Sequence, residues 1–142
     1  VFIYLNTALI YYDQGKYKLA TQQISRLILQ NDFIDLDINF QFKICIAEII
    51  IRYRLNQLDI IREKINDLKK IYNPQFNKRN RDVRIIKIVE ELIYCTNLKE
   101  NKKLTKKIKL LSEKITDKEA DELDVINYNE WLRDLLKLKR SL

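Results

Sequence analysis

A chain of 142 residues with one glycine and one proline has few ways to reverse sharply. Sheets built on tight hairpins need Gly, Asn-Gly or Pro at their turns, whereas helices are weakened by Gly and Pro alike. The depletion therefore predicts an all-α fold. Abundant Ile and Tyr pull mildly the other way, because β-branched and aromatic residues favour strands. Ile, Lys and Asn are all abundant, however, which points to a shared compositional bias. At 46% hydrophobic, the chain can build the core of one domain.

The single glycine, Gly15, stands between two amphipathic segments. Phe2 to Tyr12 places Leu5, Leu9 and Tyr12 on one helical face, with the small Ala8 between them. Tyr17 to Leu29 places Ala20, Ile24, Leu27 and Ile28 on one face. A residue that adopts a left-handed conformation cheaply ends the first helix, and so short a turn makes the two helices antiparallel. Residues 4–32 thus read as a helical hairpin.

This hairpin resembles a tetratricopeptide (TPR) repeat, whose pattern is W-x2-L-G-x2-Y…A-x3-F…P. The matching residues are Tyr4, Thr7, Ala8, Tyr11, Ala20, Ile24 and Asp32, with Gly15-Lys16-Tyr17 at the turn. Tyr replaces Trp, Thr replaces Leu, Ala replaces Gly, and the closing Pro is absent. The resemblance implies antiparallel hairpins stacked as a right-handed α-α superhelix, a TPR-like solenoid of about seven helices. It also implies a non-enzymatic protein–protein interaction scaffold that holds a partner segment on its concave face. That face is lined by the first helix of each pair, so Asn6, Tyr11, Asn39, Lys43 and Arg84 are the candidate partner contacts.

Asp35 to Leu55 is expected as a long helix, apolar nearly all round and hence buried on two sides. Glu48 and Arg52, spaced i, i+4, read as a surface pair, with a pair facing a binding groove as the alternative. Leu58 to Tyr72 returns as a helix with Ile61, Ile65 and Leu68 inward. An offset of 41 places Tyr53 on Tyr12 and Asn56 on Gly15, longer than the usual repeat of about 34. Asn is the next-best residue for a left-handed helix end. Residues 73–80, with the only proline, read as an ordered loop. Arg81 or Asp82 to Thr96 and Leu104 to Ile115 complete a third hairpin over 82–116. Thr116 and Glu119 fit a capping box opening a last helix over 117–140. The ending Tyr128-Asn129-Glu130-Trp131-Leu132 is similar to a C-terminal segment of bacterial TPR proteins. The whole reads as a single domain, 1–142, with hairpins at about 2–30, 35–72 and 82–116. Lacking an initiator methionine, it is expected to be the C-terminal part of a longer protein.

The residue inventory restricts the chemistry. Without histidine, the commonest general base and the commonest zinc ligand are missing. One glycine cannot build a phosphate-cradling loop. The carboxylate clusters at Glu90-Glu91 and Asp121-Glu122-Asp124 read as solvated helix faces. No enzymatic activity and no cofactor or metal is expected. Cys45 and Cys95 read as buried reduced thiols, with a disulfide as a distant second reading. No apolar run approaches the roughly 20 residues of a membrane span, and a cytoplasmic protein is the default.

The net charge of +7 is concentrated in residues 74–118, which carry 13 Lys/Arg against 6 Asp/Glu. Lys78, Arg79, Arg81, Lys102, Lys103, Lys106 and Lys107 form the candidate basic patch of an alternative, nucleic-acid-associated or regulatory module. Against it, the patch is mostly Lys and lacks interleaved aromatics for base stacking. A third reading is a domain that caps a longer array or forms a homodimer through its last helix.

Overall fold

The turn chemistry of the sequence reappears twice in the computed structural model, which describes residues 2–78, 80–113 and 124–141, with side chains to Lys137. Gly15 has φ +75° and Asn56 has φ +58°. After helix α1 (Phe2–Asp13), the Lys16 N–H donates to Tyr11 O at 2.8 Å and the Gly15 N–H to Tyr12 O at 3.0 Å. After helix α3 (Ile38–Arg54), the Gln57 N–H donates to Arg52 O at 3.1 Å and the Asn56 N–H to Tyr53 O at 3.0 Å. Both are the paired 6→1 and 5→2 bonds of a Schellman turn. The same termination is thus repeated 41 residues apart, at the registration read from the sequence.

Each turn launches an antiparallel partner, α2 (Tyr17–Ile28) and α4 (Leu58–Ile71). A 3-10 turn at Asn31–Asp35 joins α2 to α3. The expected start of α3 at Asp35 moves to Ile38, because Leu36 is extended and the Asp37 carboxylate caps the Asn39 and Phe40 N–H groups. α3 packs on α2, α4 and α6, and every residue from Gln41 to Ile51 except half-buried Cys45 is buried. It is the central element of the core.

Residues 73–80 are not simply a loop. Asn73–Phe76 forms the short helix α5 with Pro74 in its first turn, where a missing N–H costs nothing. Phe76 packs edge-on against Phe42 at 5.4 Å and holds this connection on the core. Helix α6 (Arg81–Ile93) is capped by Asn80 and packs on α3 and α4.

Helix α7 (Lys102–Glu113) follows an eight-residue connection, 94–101, rather than three, and no left-handed residue ends α6. Consequently α7 lies less closely on α6 than α2 on α1. Its principal neighbour is the last helix, α8 (Tyr128–Ser141). The last helix does not run through 124–127, which are not helical. The Asn127 side chain accepts from the Glu130 N–H at 3.0 Å, so the cap that opens α8 is Asn127. The expected cap at Thr116 and Glu119 lies outside the described residues. Tyr128, Trp131, Leu132 and Leu135 are buried, as their spacing predicted. Among the described residues the chain is all-α, with eight α-helices, no strand, and no helix long and apolar enough to cross a membrane.

Candidate functional site

The five residues expected to line one face are distributed over three places. Asn6 is exposed and Tyr11 half-buried on α1. Asn39 is exposed at the start of α3, beside Lys43 and Lys78, around a pocket of about 350 Å³ between the N-termini of α3 and α6. Arg84 is exposed on α6 and lines a groove toward α7. Of the basic patch, Lys102, Lys103, Lys106 and Lys107 are exposed on α7, Lys78 is exposed beside Asn39, and Arg79 lies outside the described residues. Lys43 and Arg81, one from each set, are interior.

These two cations belong to a polar cluster that joins α3, α6 and the approach to α8. Lys43 Nζ lies 3.0 Å from Asp82 Oδ1 and 3.5 Å from Asp124 Oδ1. Arg81 pairs with Asp124 and donates to the Asn129 side chain. Tyr128, fully buried, donates its hydroxyl to Asp82 at 2.9 Å, and its ring faces the Arg81 guanidinium at 5.1 Å. Burial, reinforced by the Asp82 carboxylate, pushes the Tyr128 hydroxyl well above the usual tyrosine pKa. The charges compensate one another, which is the condition for burying them. Sequence reasoning missed this cluster. Its trace in the sequence was Lys43 beside the apolar run Ile44–Ala47 of α3.

A second junction ties α8 to α1 and α3. The Arg54 guanidinium lies over Tyr12 at 5.1 Å and Tyr17 at 5.2 Å, donates to the Tyr12 hydroxyl at 2.8 Å, and reaches Asp134 of α8 at 3.0 Å. Trp131 meets Tyr53 edge-on at 6.1 Å. A small pocket of about 120 Å³ lies between Leu9 and Tyr12 of α1 and Trp131 of α8. Of the first helices of the three expected pairs, α3 and α6 thus contact α8 directly, and α1 is linked to it through Arg54.

The pair expected at the surface, Glu48–Arg52, is also interior. Glu48 is 3% exposed and receives Arg52 at 3.2 Å, Lys64 at 3.2 Å and Ser25 at 3.3 Å, so it binds α2, α3 and α4 together. The spacing was legible, but the second cation, Lys64, and the serine come from other helices. Both cysteines are free thiols, and burial pushes Cys45 to about 11, tempered by its contact with the Tyr72 hydroxyl.

Among the described residues, an open groove of about 540 Å³ lies between α6 and α7. Ile88 and Leu111 form its floor, and Leu110, 49% exposed, stands at its edge. Arg84 and Lys87 stand on the α6 wall, and Lys107 on the α7 wall pairs with Glu91 at 2.8 Å. A further cavity of about 380 Å³ shares Glu90 and Glu91 and continues to Tyr94 and Lys103. No family model, no curated protein and no solved structure matches this chain.

Proposed function

We propose that the protein is a non-enzymatic interaction scaffold of TPR type, a short solenoid of helical hairpins that holds a helical segment of a partner protein. The observation that carries this reading is the seating of α8. Trp131 and Asp134 engage Tyr53 and Arg54 of α3, while Tyr128 and Asn129 engage Asp82 and Arg81 of α6. A surface of first helices that takes up one amphipathic helix has the chemistry to recognise helices: aromatic rings for apolar anchors and paired cations for carboxylates. The twin Schellman turns support the repeat character. On this reading the chain's own last helix occupies part of the first-helix surface, over Tyr53, Arg54, Arg81 and Asp82.

A second reading, nucleic-acid association, is favoured by one observation. Lys102, Lys103, Lys106 and Lys109 are exposed on α7 and have no ion pair among the described residues. Arg81 is withdrawn from that patch into the interior. Affinity capture from a cell lysate separates the two readings. The scaffold reading expects a protein partner that stays bound after nuclease digestion. Recovery of nucleic acid alone, or of proteins that are lost on digestion, would overturn it.

A further inference from the structure

We infer that the groove between α6 and α7 is a docking site for an acidic amphipathic helix of a partner protein, separate from the face that α8 occupies. The inference rests on the scaffold reading and adds the surface and the chemistry of the partner.

The groove exists because α6 and α7 diverge. The eight-residue connection and the absence of a left-handed helix end let α7 pack chiefly on α8, leaving a groove on the α6 side in which Leu110 of α7 is exposed. Ile88 and Leu111 are buried at the bottom, and Leu110 is half exposed at the edge. The two adjoining cavities run from Arg84 of α6 to Tyr94 just past its end, ten residue steps or about 15 Å at the helical rise. That is nearly three turns, enough for anchors at i, i+3, i+4 and i+7 of a guest helix.

The charge distribution selects the guest. The acids of the groove are already answered: Glu91 by Lys107 at 2.8 Å, and Glu90 by Lys69 at 2.9 Å. Arg84, Lys87 and Lys103 have no ion pair among the described residues, and all three are exposed along the walls. A guest with an apolar stripe and carboxylates on both flanks buries the floor and pairs these cations. A basic guest meets three like charges, Arg84, Lys87 and Lys103. A polyanion without an apolar face pairs the cations but leaves Leu110 uncovered, which separates a protein helix from nucleic acid at this site.

The test uses the full chain and a labelled synthetic helix of about 18 residues, leucine on one face and glutamate on the other, read by fluorescence anisotropy. The same peptide with lysine replacing glutamate is the counter-probe. The acidic peptide binds, and its affinity weakens as salt rises through about 0.15 M. The lysine peptide binds at least about tenfold more weakly. Arg84→Glu with Lys87→Glu, and separately Leu110→Ser, each lower acidic-peptide affinity by about tenfold or more. Lys18→Glu with Lys70→Glu, an equal change of charge away from the groove, leaves it within about threefold. Circular dichroism confirms that every variant retains its helices. Equal binding of the two peptides overturns the proposal. So does an equal loss in the distant charge pair, or a single-stranded oligonucleotide that binds more tightly and is indifferent to Leu110→Ser. Capture of a nuclease-resistant partner without any binding of the acidic peptide overturns this groove while leaving the scaffold reading intact.

Discussion

Gly15 and Asn56 do the same work with different side chains, and the difference is measurable. A Cβ at Gly15 would meet nothing within 4 Å, so replacing it strains only the backbone at φ +75°. Gly15→Ala is expected to lower stability by about 1 kcal/mol, a change visible as a lower urea midpoint at unchanged slope. Asn56→Gly should be neutral or stabilising by a few tenths of a kcal/mol, because glycine adopts the left-handed region more readily. Cys45 makes a prediction in pH. Its thiol is raised from the ordinary value of 9.0 to about 11, so the folded chain holds this proton more tightly than the unfolded chain. The associated stability is fully present below about 9 and is lost as pH rises toward 11. Urea midpoints measured across that interval should fall more steeply for the native chain than for Cys45→Ala. Identical slopes would show that the thiol is not desolvated as described.

Among the elements, what the sequence made legible tracks how local its cause is. The boundaries of α1, α2 and α4 came out within a residue or so, since each depends on a nearby turn and a single apolar stripe. The lengths of α3 and α8 were overestimated. In both cases an acceptor inside the expected helix, Asp37 or Asn127, caps a later start. Asn127 followed by Glu130 was a readable cap signal, and the competing Thr116–Glu119 pattern hid it. The pairing of α7 with α8 was not legible, because periodicity reports which face is apolar and not which neighbour covers it. The interior place of Glu48 was missed for the same reason. Removing it tests that correction: Glu48→Ala leaves half-buried Arg52 and Lys64 without their shared carboxylate, and should destabilise by about 2 kcal/mol or more in urea denaturation. A surface pair would yield less than about 1 kcal/mol.

At the scale of the whole molecule, α8 is held by two charged junctions of unequal depth. Asp82 is 4% exposed between Lys43 and Tyr128, whereas the Asp134 side chain is 33% exposed beside Arg54. Asp82→Ala is therefore expected to destabilise by several-fold more than Asp134→Ala, about 3 kcal/mol or above against about 1 kcal/mol or below, by denaturant titration. Candidate contacts from the concave-face reading were hardest to anticipate at this scale, since a distant part of the chain decides which first-helix residues stay open. Lys43 and Arg54 are occupied by Asp124 and Asp134, roughly eighty residues further along the sequence. The lone tryptophan turns this arrangement into an optical instrument. Trp131 is 1% exposed and stacked edge-on to Tyr53, so its emission samples one joint, the seat of α8 on α3. Far-ultraviolet dichroism, by contrast, averages over every helix. Because Trp131 sits within the same apolar cluster as α3 and α6, the two signals should change together on unfolding of the native chain. An emission change that precedes the loss of helix would identify α8 as a separately melting lid, visible in solution without attaching any dye.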